Sequence, residues 1–487
     1  MTSPRNPVTF SAMRLLRAAT LGTLLSSSAA FAQETTPSVA DAATGTPIGP
    51  TDRKNLSGQL GFGAIGEDVF ATLGLRFNFD QEMWGFGVAV PLRIRLIDQD
   101  PQNDDDVGGL LRKEDWDEFS DFLKIIRYVY VGNKNELFYA RIGELSGLTI
   151  GHGTIVNDYY NGFDIDRWRI GTNLALNIGA FGAEVVVGDI AHLSDPALVG
   201  ARATVKPVML ALGDDAGFFG DRLVVGVSAM SDPTVPYELR KDATSGNIVL
   251  DDAQHPVVEV DRTLVIAGVD VGLRLLDKPL TITPYVDLNK MSVVDHGWGL
   301  HIGVMWELDV PVGIDHLIAN VRTEYRRVSG DYLGPYFDVA YEIERYELPA
   351  GSQSPKVRTL ADGSLPGRNG YYFSIMSGLP AWALVRGEFI DYDGGLNDGS
   401  LRLGLDVPAL EVFKLSAFYY RVGIGSASDL FKLDDRSAVI AKASIPVYYV
   451  FSLELQFRRL WKADPNEGGS YRAVDDWSVG VGFSLDL

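Results

Sequence analysis

The chain has 487 residues, 46% hydrophobic and 22% charged, with 52 glycines. It is long enough for a sizeable core and too apolar to be a disordered protein. Cysteine is absent, which removes disulfide frameworks, thiolate metal sites and cysteine nucleophiles. Lysine plus arginine number 43 against 64 acids, and the net charge of −21 excludes the basic footprint that a nucleic-acid partner requires.

Residues 1–32 carry Arg5, Arg14 and Arg17 and no acid, then a small apolar run from Ala18 to Leu25, and Ala30-Phe31-Ala32 before Gln33. This order reads as a secretory signal peptide, with Met1 or Met13 as its start. Gln33 to Leu56 is rich in Thr, Ala and Pro without periodicity and reads as a flexible lead-in.

From residue 57 onward no apolar run reaches the length of a membrane-spanning helix. Alternation of period two recurs instead. Val69, Ala71, Leu73, Leu75, Phe77 and Phe79 share one face of a first clear strand. Trp84, Phe86, Val88, Val90, Leu92, Ile94 and Leu96 share one face of the next, opposite Gly85, Gly87, Ala89, Arg93 and Arg95. Counting along the chain gives twenty such segments, or eighteen if a hairpin is lost near 207–221 or at the first two. Tight connections such as Asp80-Gln81-Glu82 and Gly179-Ala180 follow even-numbered segments, and the longest ones (98–121, 145–165, 232–261 and 330–369) follow odd-numbered segments. An all-β, antiparallel, up-and-down transmembrane barrel is expected over 57–487, because in lipid every backbone group must be paired and no sheet edge exposed.

The last strand alternates Trp477, Val479, Val481, Phe483, Leu485 and Leu487 with Ser478, Gly480, Gly482, Ser484 and Asp486. It resembles the C-terminal strand of bacterial outer-membrane β-barrel proteins of the porin type, although those strands usually end in an aromatic residue. The resemblance implies an outer membrane of a diderm bacterium, both termini periplasmic and the long loops outside. It also implies as partners outer-membrane lipid and lipopolysaccharide, the barrel-assembly machinery through the last strand, small polar solutes and, by analogy with porin trimers, a homo-oligomer. Trp84, Trp168, Trp298, Trp306, Trp382, Tyr128, Tyr130 and Tyr419 suit the aromatic girdles of such barrels.

If the apolar face meets lipid, parity places Arg76, Arg93, Arg95, Arg141, Arg167, Arg169, Arg202 and Lys206 in the lumen, against one acid, Glu184. Asp270, Arg274, Asp287, Glu307, Arg322, Glu324 and Arg326 also face inward. Loop 98–121 holds Asp104, Asp105, Asp106, Asp115 and further acids, with only Arg112 and Lys113 opposing them. Such a basic wall facing acidic loops has two readings: a transverse field that selects anionic or polar solutes, or mutual neutralisation that plugs the barrel. Loop 145–165 reads equally well as an inward constriction or as a stiffened surface loop. Segment 108–122 has weakly helical spacing.

Gly61-Phe62-Gly63-Ala64-Ile65-Gly66 matches a dinucleotide fingerprint, yet no helix follows, so it is assigned to a strand. Asp391-Tyr392-Asp393 reads as a solvated turn. His152, Asp295-His296, His301 and Asp315-His316 are the candidates for hydrolase chemistry, none beside an obvious nucleophile. The expectation is a passive outer-membrane channel that needs no cofactor or metal and is not an enzyme. A plugged barrel acting as a surface interaction protein is the alternative, and an outer-membrane hydrolase the third. Neutralising Arg93, Arg95, Arg167 and Arg169 is expected to shift the reversal potential toward cations.

Overall fold

The computed structural model describes residues 54–487 except 66–67, 82, 99–105, 108–110, 113–114, 117–121, 135, 164–168, 252–255, 293–296, 314, 347–354, 362–365, 395–397, 409–412 and 464–470. The period-two segments become the wall strands β1 (Lys54–Ile65), β2 (Asp68–Asp80), β3 (Trp84–Ile97), β4 (Ile126–Gly132), β5 (Phe138–Gly143), β6 (Gly171–Ile178) and β7 (Phe181–Val187). Next come β8 (Val199–Val205), β9 (Leu223–Leu239), β10 (Val258–Leu273), β11 (Leu280–Met291), β12 (Trp298–Val312), β13 (Asp315–Val328) and β14 (Arg368–Leu379). The wall ends with β15 (Ala383–Tyr392), β16 (Gly399–Val407), β17 (Lys414–Ile424), β18 (Ser437–Tyr448), β19 (Phe451–Ala463) and β20 (Tyr471–Asp486).

Each strand pairs antiparallel with the next, and β20 returns to β1 from Asn55↔Asp486 to Ile65↔Asp476, so the twenty-stranded ring closes without an edge. β1 begins at Lys54, inside the expected lead-in, because Asn55 and Leu56 find partners on both sides. At this seam Gly61 faces Gly480, and a Cβ on Gly61 would lie 2.4 Å from the Val479 carbonyl oxygen. The glycine run therefore serves close strand approach.

The tight turns gather at one end of the barrel and the long connections at the other. Segment 207–221 is the exception: at the turn end it forms helix α1 (Pro207–Leu212) and a 3-10 stretch (Gly213–Phe219). It removes no hairpin, so the count is twenty rather than eighteen. Much of 232–261 is not loop, since β9 and β10 stay paired through bulges to Leu239↔Val258. Within 108–122, the described residues include a bridge from Leu111 to Ile94 of the wall; a helical reading of the segment otherwise falls largely outside the described residues.

Side chains alternate as the pattern requires. Val269, Leu288, Ile302, Phe373 and Val481 are exposed on the outer face, with Trp84 and Trp298 at the starts of their strands, Trp306 in mid-strand and Trp382 in the β14–β15 turn. Tyr128 and Tyr130 are a correction: Val129 and Val131 take the outer positions, while the tyrosines turn inward and donate to Asp80 and to the Gln81 carbonyl. Two hydroxyls that lipid would leave unsatisfied are thereby paired. Trp168 lies outside the described residues. Replacing Val304, between Ile302 and Trp306 on the outer row, by Arg is expected to cost about 2–4 kcal/mol, as for a cation near the bilayer midplane. A denaturant titration of folding into vesicles measures it, and an unchanged midpoint would mean that this row does not meet lipid.

Candidate functional site

The loop-end half of the lumen is filled. Loop 144–170, after β5, turns inward and buries Leu145, Ile150, Ile155, Val156, Tyr159 and Phe163. Loop 329–367, after β13, meets it there with Tyr332, Tyr336, Phe337 and Tyr341, all fully buried. The two join as parallel backbone at Val156 and Phe337, where the Asn157 amide donates to the Phe337 carbonyl at 3.0 Å. Inward-facing Val186, Met230, Ile266, Met291, Val328 and Ile390 of the wall complete one apolar core. Of its two readings the first loop takes the inward one, and the second loop, for which no inward fold was expected, joins it in the lumen. Each carries enough aromatic and aliphatic area to bury, and an exposed position would leave that area in water.

Charged groups fix this plug. Arg345, in the turn after α2 (Tyr341–Glu344), reaches Asp195 and Asp232, each at 3.0 Å. The Tyr341 hydroxyl donates to Asp232 at 2.6 Å. Arg169 lies 3.0 Å from Glu342, and Tyr159 donates to the same carboxylate. Lys356, which opens α3 (Lys356–Ala361), holds Glu344 at 2.7 Å and the Tyr336 carbonyl at 3.1 Å. Burial and the neighbouring Glu344 push the Asp338 carboxyl up to about 7. At Asp195 burial, which alone would raise it, is outweighed by Arg345 and Arg169, and the carboxyl sits well below the ordinary range.

These shifts have opposite signs in pH. The docked loop holds the Asp338 proton more tightly than a released loop, so docking weakens as pH rises from about 4 through about 7. The Asp195 contribution is lost only below about pH 4, outside that window. Burial likewise raises Asp232 to about 6, with the same sign. Amide exchange in 332–345 is therefore expected to be slower near pH 5.5 than near pH 8, after correction for intrinsic exchange, and Asp338→Asn should reduce the difference, leaving the part that Asp232 contributes.

Toward the turn end the lumen opens into a cavity of about 280 Å³ on the β12–β17 side. The register sets its layers: Arg322 faces Ser374, then Glu388, then Arg402 across β13–β16, and Asn320 faces Met376, then Arg386, then Gly404 one step nearer the turns. Arg402 pairs with Glu388 at 2.7 Å and Asp158 at 3.2 Å, while the Arg322 guanidinium lies over the Tyr372 ring at 4.0 Å. Asn157 of the first loop donates to Glu388 at 2.8 Å, so the plug forms the roof. Arg386 lies along Gly404, and its Nε and Nη2 have no hydrogen-bond partner among the described residues.

The basic row read from the sequence lies mostly on the opposite wall and is met by acids. Arg93 holds Asp115 at 2.6 Å, joined by Arg112 at 3.2 Å. Arg95 lies between Asp68 and Asp98 at 3.4 and 3.5 Å. Arg202 pairs both nitrogens with Asp270, Arg141 donates to the Glu144 carbonyl at 3.0 Å, and Arg76 to Asn78 at 3.2 Å. Arg169 stands in the loop just before β6, and Arg167 lies outside the described residues. The acid count from strand parity alone missed Asp115, Asp195 and Glu342, which loops bring in.

Arg386, Arg402 and Glu388 lie beyond the strands whose inward charges were read from the sequence, and the same alternation in the later strands is the signal that points them inward. The signal for the second inward loop was its aromatic run from Tyr332 to Tyr341. Among the described histidines, His152 contacts Asp287 at 2.8 Å and stacks on Tyr285, and His301 is buried between Glu324 and Tyr332. His316 contacts Asp309 at 2.6 Å. Asp295 and His296 fall outside the described residues.

A closed barrel of twenty strands with an apolar outer band and a polar, loop-filled interior is an outer-membrane β-barrel protein of a Gram-negative bacterium. No family model matches the chain, and no curated protein matches it. Among solved structures it is similar to Wzi of Escherichia coli, an outer-membrane carbohydrate-binding β-barrel involved in group 1 capsule assembly, at 11% identity and TM-score 0.32, over 92% of this chain and 86% of Wzi. It is similar to OpdK of Pseudomonas aeruginosa, solved with vanillate, at 10% identity and TM-score 0.31, over 89% of this chain and 98% of OpdK. It is also similar to the ferric enterobactin receptor of P. aeruginosa at 8% identity and TM-score 0.34, over 89% and 81%. The class rests on the closure and the two faces of the barrel itself.

Proposed function

We propose that the protein is a passive outer-membrane channel for small polar or anionic solutes, with termini and tight turns on the periplasmic side and the double-loop plug as its constriction. Solutes would be sorted in the cavity beneath the plug. The observation that carries this reading is Arg386, a guanidinium in the cavity wall with two nitrogens unpartnered among the described residues. A buried donor without a partner is costly, and an anionic or carbonyl oxygen of a passing solute relieves it. The arginines of the opposite wall are largely neutralised by Asp115, Asp68, Asp98 and Asp270 and contribute less to selection.

Arg386→Gln with Arg402→Gln is expected to move the reversal potential in planar bilayers toward cations, and to move it further than Arg93→Gln with Arg95→Gln does. The opposite ranking would return selectivity to the first wall. The second reading, a closed barrel acting through its outer surface, is favoured by the apolar core between the two loops. Folded, inserted protein with no conductance would establish it.

A further inference from the structure

The wall is uneven in height. β12 presents Trp298, Leu300, Ile302, Val304, Trp306 and Leu308 outward. As apolar outward residues β6 presents only Leu174, Leu176 and Ile178, and β8 only Val199, Ala201, Ala203 and Val205 inside their short spans. A strand of seven residues, such as β7 or β8, tilted about 45° spans roughly 16 Å, against an apolar band about 25 Å tall. The connection between β8 and β9 continues from this short sector at the turn end. It is the apolar sequence Pro207-Val208-Met209-Leu210-Ala211-Leu212, then Gly213-Asp214-Asp215-Ala216-Gly217, whose two acids give it a polarity that suits the headgroup level, then Phe218-Phe219.

None of the side chains of α1 is buried. Leu210, Leu212, Phe218 and Phe219 are each about half exposed, beside the exposed Ile178 and Phe181 of the β6–β7 turn and Leu275 and Leu276 of the β10–β11 turn. Backbone bonds tie these turns to the segment, from Lys206 to the Ala180 carbonyl and from Arg274 to the Arg222 carbonyl. Arg222 lies over the Phe218 ring at 4.6 Å and holds Asp277, so charge sits at the polar edge of the apolar patch. A contiguous apolar surface of this kind, continuous with the lipid-facing band and rimmed by charge, has the composition of an interfacial anchor.

We propose that residues 207–219 form a membrane anchor that lies in the headgroup region of the turn-end leaflet and takes a phospholipid monolayer as its partner. It makes up apolar height where β6–β8 are too short to span the band, and holds that side of the barrel in a locally thinned bilayer. The absence of cysteine makes the test clean: Phe218→Cys or Ala211→Cys gives the chain a single thiol for an environment-sensitive fluorophore. In vesicles of phosphatidylcholine with brominated acyl chains, the expected result is blue-shifted emission and quenching approaching that of Leu288→Cys on the lipid-facing row. Water-like emission at both positions, quenched by aqueous iodide like Ser245→Cys at the tip of the β9–β10 hairpin, would overturn the proposal. If Phe218→Cys fails to fold, Ala211→Cys alone decides, since it removes no apolar side chain larger than a methyl group. Leu288→Cys is the control for the barrel itself: unquenched emission there would reject the membrane orientation and not merely the anchor.

Discussion

Replacing Arg345 by Met is expected to release the plug. The Arg345 side chain is 1% exposed and Asp232 fully buried, so the substitution leaves a carboxylate inside the barrel with only the Tyr341 and Thr234 donors. Removing one partner of such a pair costs about 3–5 kcal/mol, because the remaining charge keeps its desolvation penalty without its attraction. The loops have a way out that a packed core does not: they can leave the lumen, and water can then solvate Asp232. The expected observation is faster amide exchange in 155–163 and 332–345 with unchanged exchange in the wall strands, together with larger and noisier conductance. Adding Asp232→Leu should restore much of the protection, since it removes the stranded charge. Unchanged exchange in the single variant would mean that the apolar core alone holds the loops.

Replacing residues 148–157 by a short Gly-Ser link is expected to raise single-channel conductance several-fold. This segment supplies His152, Thr154, Ile155, Val156 and Asn157, which between them contact Asp287, Glu388, Arg322 and the second loop. None of the twenty wall pairings uses it, so the barrel should keep its cold-gel mobility and strand exchange. The groups it leaves behind become water-lined, and ionic pairs in water need no partner from the loop. A folded barrel whose conductance does not rise would show that the other loop, or residues 98–121, close the pore without it. No conductance in either form would favour the surface-protein reading.

The strands were legible because their cause is local. Alternation of Val69 to Phe79, or of Trp477 to Leu487, needs nothing beyond the period-two geometry of extended chain and the demand that one face meet lipid. The placing of tight turns after even strands then fixed the sense of the meander and the closure of β20 on β1. Tyr128 and Tyr130 were misread because tyrosine suits both a lipid interface and a buried hydrogen bond. The hydroxyl partners that decide between them, Asp80 for Tyr128 and the Gln81 carbonyl for Tyr130, are 48 and 49 residues away in the chain. The length of loop 330–369 says nothing of whether it enters the lumen, whereas its aromatic density marks it as a segment with area to bury.

The lumen is where local reading ended. Parity correctly sends a side chain inward or outward, but it cannot say what stands across the barrel. The partners of Arg93, Arg202 and Arg169 are Asp115, Asp270 and Asp195, at separations of 22, 68 and 26 residues, and each changes a bare cation into half of a pair. Sequence by itself determined the all-β class, the strand number within a hairpin, the two faces and the membrane. Tertiary structure alone decided that two loops fold in and meet at Val156 and Phe337, that the first arginine row is largely neutralised, and that Arg386 stands over an open cavity. The division has a physical reason: backbone pairing and lipid exposure act on each strand separately, whereas electrostatic balance and packing in the lumen depend on groups brought together only by closing the ring.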